Sequence, residues 1–370
     1  MPHPLPDQDR LHRLRLIRSP RIGPVTYRQL MSRFGSAEAA LRAVPDLARR
    51  GGGQGAALAD PGAVAREAER VAQLGATYLF LDDDDYPPLL SEIDNAPAVL
   101  ICRGDLSLAR QRTVALVGAR NASAAGCRFA RMLAQDLGRS GVTVVSGLAR
   151  GIATAAHVGA LARESDRGGT IAVIASGIDV VFPPENAELQ EAIATHGLLI
   201  AEQPPGTEPR ARHFPYRNRI IAGLSLGTVV VEGAPKSGSL ITARLAGEAG
   251  REVMAVPGSP LDPRAQGCNL LIREGATLVQ TAADILEAIG SIDDRMLRQP
   301  GRRYEAAPVE LDVAVRDRNE IEKLLSPVPV PVDELIRQSG LSPAIVQTVL
   351  LEMELGARLT RHAGGRVSLA

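Results

Sequence analysis

A doubly wound α/β domain with a mostly parallel sheet is the fold class this sequence predicts, and three observations predict it. From residue 113 onward, short β-branched runs alternate with helical patterns. The runs are apolar throughout, as strands covered on both faces must be. The turns that follow them are rich in glycine and small hydroxyl residues. The expected strands are TVALVG, VTVVS, TIAVIA, LLIAE, TVVVE, EVMAVPG and ATLVQ, joined by helical stretches such as AGCRFARMLAQDLGRS, ATAAHVGALARES, AELQEAIATHG and SLITARLAGEAG.

Smaller modules are expected on either side. Residues 10–75 read as helices: LHRLRLIRS, then TYRQLMSRF after Gly23-Pro24, then a glycine-rich break at Gly51 to Gly55, then PGAVAREAERVAQLG. The turn Ile22-Gly23-Pro24-Val25 between helical patterns fits a helix-hairpin-helix module, whose backbone N–H groups hold a DNA phosphate, and equally an ordinary turn in a helical interaction domain. Residues 317–370 predict three helices and a hairpin around Gly364-Gly365, the plan of a winged helix. Its third helix carries Glu352 and Glu354 and no cation before Arg358, a poor surface for the major groove, so protein contact or weak DNA contact through Arg358, Arg361 and Arg366 is expected. The division is therefore 1–75 helical, of SAM or helix-hairpin-helix type; 76–290 α/β; 291–315 linker, where IDDRMLRQPGRRYEAAP loses periodicity; and 316–370 winged-helix-like.

The chain has 370 residues, 45% of them hydrophobic, enough for two or three cores. Its 42 basic and 42 acidic side chains cancel, so no overall field draws it to nucleic acid or membrane, and any DNA site must be a local patch. Only Lys236 and Lys323 are lysines, an arginine excess that fits bidentate phosphate contacts but is ascribed mainly to coding bias. Cys102, Cys127 and Cys268 fit neither a disulfide framework nor a zinc knuckle and point to a reducing compartment. The start MPHPLPDQDR has no basic patch followed by an apolar run, and no later segment reaches membrane-spanning length, so a cytoplasmic protein is expected.

Ligands of doubly wound sheets bind where loops leave the carboxyl ends of the strands. Four such loops stand out: Val117-Gly118-Ala119-Arg120-Asn121, Ser146-Gly147-Leu148-Ala149-Arg150-Gly151, Ser176-Gly177-Ile178-Asp179, and Lys236-Ser237-Gly238-Ser239. Each sets backbone N–H groups at a helix start, which suits an anion such as phosphate. Ala119-Arg120 stands where a second glycine would admit a dinucleotide, and GAPKSGS is too short for a phosphate-binding P-loop. No cofactor and no metal are expected. The densest cationic stretch is PRARHFPYRNRII, in which Arg210, Arg212, His213, Arg217 and Arg219 interleave with Phe214 and Tyr216. Arginines give salt-dependent phosphate contacts and exposed rings give stacking faces for unpaired bases, each worth about 1–3 kcal/mol. The alternative is that the rings are core and the arginines pair with Glu202, Glu208 or Glu232.

Residues 113–281 resemble the core of the DNA-processing protein A (DprA) family. The resemblance rests on VALVGAR, VVSGLARGIATAAHVGAL, TIAVIASGIDVVFPPENAEL, AEQPPGTEPRARHFPYRNRIIAGLS, VVVEGAPKSGSLITARLA and VMAVPGSPLDPRAQGCNLLIREGA, and DYPPLLSEIDNAPAVLICRGDL resembles the family's lead into that domain. It implies a Rossmann-like domain that binds single-stranded DNA, dimerises, and loads a RecA-type recombinase during natural transformation or recombination, without catalysis. Carried over by motif, Arg120, Ser146, Gly147, Phe214 and Arg217 would line the DNA groove, with Asn218, Arg219, Lys236 and Ser239. The loop reading adds Gly118, Arg150 and Ser237. Two positions depart from the family pattern: Ala119 replaces a small hydroxyl residue, and Ala153 an acid.

Catalytic readings are weaker. His157, Asp179 and Glu202 form an imaginable hydrolytic trio, but no G-x-S-x-G elbow, HExxH or paired-cysteine spacing accompanies them. The run Asp82 to Asp85 before Tyr86-Pro87-Pro88 reads as a solvated turn. A nucleotide-processing enzyme on a similar sheet lacks its PGG-x-GT loop here, and a duplex-reading regulator is disfavoured by the acidic third helix.

Overall fold

The computed structural model describes residues 7–53, 57–162, 168–296, 313–362 and 364–370. Helices α1 (Gln8–Arg18), α2 (Pro24–Phe34), α3 (Ala37–Arg50) and α4 (Pro61–Gln73) come first. Local chemistry sets their ends: Asp7 accepts from Arg10 N ahead of α1, Pro24 opens α2 and left-handed Gly35 closes it, and Ser36 accepts from Ala39 N ahead of α3. The sequence reading did not pick out α3, because Pro45 interrupts a pattern whose buried side (Ala37, Ala40, Leu41, Val44, Leu47, Ala48) is otherwise regular.

Next come β1 (Thr77–Phe80), α5 (Pro88–Ser91), β2 (Val99–Gly104), β3 (Thr113–Val117), α6 (Ala124–Arg139), β4 (Thr143–Ser146), α7 (Ile152–Leu161), β5 (Gly169–Gly177) and α8 (Ala187–His196). They are followed by β6 (Leu198–Gln203), α9 (His213–Leu224), β7 (Gly227–Val230), α10 (Gly238–Glu248), β8 (Glu252–Ala255), α11 (Pro263–Arg273), β9 (Thr277–Leu278) and α12 (Ala282–Met296). The sheet order is β1-β2-β6-β5-β4-β3-β7-β8-β9. Strands β3 to β9 are parallel, and β1 and β2 run antiparallel at one edge. Pleating sorts β3 between two cores: Val114 and Leu116 pack with Leu133 and Leu137 of α6, while Ala115 and Val117 join the core of Ile220 and Ile221 of α9. The chain crosses β3 between β6 and β7, so the loops after β3 and β7 part there and leave a crevice at the strands' carboxyl ends.

Three elements differ from expectation. TYLF and VLICRG are strands that pair antiparallel on one side of the sheet, outside the alternation of strand and crossover helix that begins at residue 113. The cationic stretch PRARHFPYRNRII is largely the helix α9. The expected linker at 291 is still α12 to Met296, since no proline or glycine stops the helix there, and residues 297–312 of that linker lie outside the described residues. Among the described residues no helix is long and apolar enough to cross a membrane.

Two compact units divide the chain, one built on residues 69–302 and the other on 5–68 with 303–370. In the second lie α13 (Val315–Leu324), β10 (Val330–Pro331), α14 (Val332–Ser339), α15 (Pro343–Leu355), β11 (Leu359–His362) and β12 (Arg366–Leu369), with the three strands in one sheet. Helix α15, third of the winged helix, is buried along most of its length from Val346 to Leu355 and packs on α3. Thr26 donates to Glu354 at 2.7 Å, Gln29 to Gln347 at 2.8 Å, and Arg361 to Glu354 at 2.7 Å. Glu352 is fully buried and takes both arms of Arg318, and Arg358 pairs with Glu322. The two acids that spoil α15 as a groove reader are thus packing and pairing residues, and Arg358 and Arg361 are already engaged.

The glycine-rich break also has a physical cause: a Cβ on Gly51 would stand 1.9 Å from the Glu352 carbonyl oxygen, so backbone meets backbone there. Gly51→Val is expected to force α3 from α15 at a cost of about 1–3 kcal/mol, read as faster hydrogen exchange in both helices. Unchanged exchange would refute the contact.

Candidate nucleic-acid interface

Five segments wall the crevice, the start of α11 with Pro263 and Arg264 among them. The loop after β3 supplies Gly118 and Arg120, the end of β4 Ser146 and Gly147, α9 Phe214, Arg217 and Asn218, and the start of α10 Ser237 and Ser239. A narrower recess adjoins it, bounded by Arg120, Arg150, Phe182, Phe214 and Arg217. Helical spacing explains α9's contribution: Phe214, Arg217 and Asn218 lie at i, i+3 and i+4 and share a face.

Arg217 is the centre of this arrangement. It is 7% exposed, and its Nη1 donates to the Gly147 carbonyl at 2.5 Å and the Val173 carbonyl at 2.7 Å. Its Nε has no partner, and no carboxylate pairs with it among the described residues. Burial and the neighbouring Arg120 push its pKa down to about 10, which leaves it charged at neutral pH. A Cβ at position 147 would come within 1.9 Å of Arg217 Nη1, so only glycine admits the guanidinium. The Arg120 guanidinium sits 4.9 Å from the Phe214 ring centre and that of Arg217 5.9 Å from it, so two cations share one aromatic ring.

Other predicted residues occupy varied places. The Ser146 hydroxyl is fully buried and donates to Leu116 O at 2.6 Å, tying β4 to β3. The Ser237 and Ser239 hydroxyls bond each other at 2.7 Å, and Asn218 Nδ2 donates to Gly238 O at 3.3 Å. Ser237 precedes α10 without a side-chain cap bond, at the helix start that lines the crevice. Lys236 is exposed on the same turn, outside the crevice lining. Arg150 lines the recess while ion-paired to Glu185.

Arg219 is the correction. Its side chain is 6% exposed and pairs with Glu202 at 2.5 Å. On α9 it lies about 200° from Arg217, so two arginines adjacent in a linear reading face different surroundings.

Sequence reasoning missed Phe182. It projects 41% exposed from the loop after β5, with its ring centre 6.0 Å from that of Phe214. A lone ring before Pro183-Pro184 gave no periodic signal. It also missed how Glu232 braces the crevice, accepting from Ser123 N at 2.8 Å and from the Ser123 hydroxyl at 2.5 Å, which fixes the loop after β7 to the start of α6.

The imagined trio is dispersed. His157 is fully buried, accepts from Leu148 N at 3.3 Å and bonds Thr170 Oγ1 at 2.7 Å, holding in place a residue whose φ is 50°. Asp179 accepts from Arg70 and from Gly206 N, and Glu202 holds Arg219. Asp83 closes its own turn on Phe80 N, and Asp85 pairs with Arg110. No group of three or more metal-ligating side chains occurs among the described residues.

Burial, with a contribution from Arg217, pushes His157 down from 6.5 to about 3. Between those values the unfolded chain binds more protons than the folded one, so stability falls as pH drops, by about 1.4 kcal/mol per pH unit from this residue. His157→Gln is expected to flatten that slope below pH 6.5 in urea denaturation. An unaltered slope would show that the ring already titrates normally.

Comparison with known proteins matches residues 77–290 to the family described as DNA recombination-mediator protein A. Residues 7–69 match a DprA-like N-terminal HHH domain and residues 305–365 a DprA winged helix domain. The DNA processing protein DprA of Streptococcus pneumoniae is 48% identical over 204 residues, 55% of this chain and 71% of that protein. Protein Smf of Synechocystis is 35% identical over 329 residues, 80% of this chain and 81% of that protein. The X-ray structure of DNA processing protein A from Streptococcus pneumoniae superposes with a TM-score of 0.61 at 36% identity, covering 75% of this chain and 96% of that one.

Proposed function

The chain belongs to the DNA recombination-mediator protein A family, and from that membership and the crevice chemistry we propose that it binds single-stranded DNA and delivers it to a RecA-type recombinase during natural transformation or recombination. The observation that supports the reading best is Arg217, a buried guanidinium with no carboxylate, set beside Arg120 over one aromatic ring. A desolvated cation without a counter-charge favours an incoming anion, and the phosphodiester backbone is such an anion. The α10 amides, Ser237 and Ser239 add neutral donors along the same wall.

The rings choose the kind of nucleic acid. Phe214 and Phe182 offer faces to a base only if that base has left its stack, which an unpaired strand permits cheaply and a duplex does not. Binding is the role this reading assigns; His157, Asp179 and Glu202 each serve a neighbour in the fold. Delivery to a recombinase and pairing of two copies through the Rossmann-like domain rest on family membership.

Binding of an oligothymidine across a salt series tests the reading. Arg120→Ala is expected to make the slope of log affinity against log salt shallower by about 0.7. Phe214→Ala should lower affinity roughly five- to 150-fold with the slope unchanged, as loss of about 1–3 kcal/mol of stacking requires. Arg219→Ala should lower the unfolding midpoint and leave the slope alone. Wild-type behaviour in both of the first two variants would overturn the assignment.

A further inference from the structure

Building on that reading of the crevice, we propose that the DNA track continues out of it along the exposed face of α6, where Arg128 and Arg131 receive the next phosphates of the same strand. Helix α6 starts directly after the loop that carries Arg120. Positions 124, 128, 131 and 135 fall within about 60° of one another around the helix. Arg128 and Arg131 are exposed on that stripe. The helix holds a single acid, Asp136, which lies off the stripe and is bonded to Arg139. Seven residues of helix separate Ala124 from Arg131, about 10 Å of rise, so the stripe leads away from the crevice mouth in an unbroken line.

Several surface arginines of this unit are already neutralised by carboxylates. In the same unit Arg103 pairs with Glu191, Arg110 with Asp85, Arg150 with Glu185 and Arg244 with Glu248. Among the described residues Arg128 and Arg131 have no carboxylate partner, as is true of Arg120 and Arg217 in the crevice and of the exposed Arg210, Arg212 and Arg273. Coding bias explains how many arginines there are. It does not explain why two unneutralised ones share one exposed stripe of α6 that carries no acid of its own. The occupant that fits is a polyanion already held at Arg120, which makes the flanking sugar-phosphate backbone the partner.

The test uses the full-length Arg128→Gln/Arg131→Gln double variant with oligothymidines of about five and about twenty nucleotides, each across a salt series. For the longer strand the slope should become shallower by about 1.4, the loss of two phosphate contacts at about 0.7 each, while the shorter strand behaves as with wild type. A wild-type slope on the long strand, with Arg120→Ala still altering both strands, would remove the α6 track and leave the crevice standing. If Arg120→Ala also altered neither strand, crevice and track would both be lost.

Discussion

A guanidinium held inside the protein by two carbonyl oxygens and no carboxylate is the constraint on which the rest of this crevice depends. Arg217 reaches between Gly147 and Val173, so position 147 cannot bear a side chain and the loop after β4 must pass close to α9. That loop in turn needs Leu148 in a left-handed conformation, and the buried His157 ring fixes the Leu148 amide. The same positive charge helps keep His157 neutral, which makes the imidazole a reliable acceptor there. Arg120 brings a second cation to the Phe214 ring, 4.9 Å from its centre, and lowers the pKa of Arg217. One unpaired charge therefore sets a glycine, a strained residue, a histidine tautomer and a cation-covered ring.

Arg219 makes the contrast sharp. Two residues from Arg217 on the same helix and equally buried, it meets Glu202 and becomes part of the scaffold. An arginine given a carboxylate is a structural tie, and one denied it is a site waiting for an anion. Composition sees no difference between the two, and neither does a linear motif.

That limit describes what could be read from the sequence. The parallel strands were legible because TVALVG, VTVVS and TIAVIA are apolar on both faces, and the anion-ready loops because glycine and serine follow those runs directly. Arg120, Phe214 and Arg217 were legible as a cationic and aromatic set, and they do converge. Strands β1 and β2 were hidden because they join the sheet antiparallel, ahead of the strand-and-crossover-helix alternation that marks the parallel strands. Arg219 was misplaced because its direction depends on the helical phase of α9, and the stretch around it had been treated as a charged segment. Phe182 was invisible because its partner lies 32 residues away in the chain and in a different element.

The terminal modules obey the same logic with the opposite outcome. A winged helix that reads duplex DNA must present its third helix with cations free and backbone accessible. Here α15 is pressed against α3 closely enough that Gly51 needs to lack a side chain, and the carboxylates of Glu352 and Glu354 are consumed by Arg318, Thr26 and Arg361. Arg358, the first cation after that helix, is neutralised by Glu322. The cations that follow α15 at Arg358 and Arg361 are thus held by carboxylates, whereas the crevice leaves Arg120 and Arg217 without one. In a chain whose total charge is zero, attraction for a polyanion is decided by where neutralisation is withheld, and in the crevice it is withheld at Arg120 and Arg217.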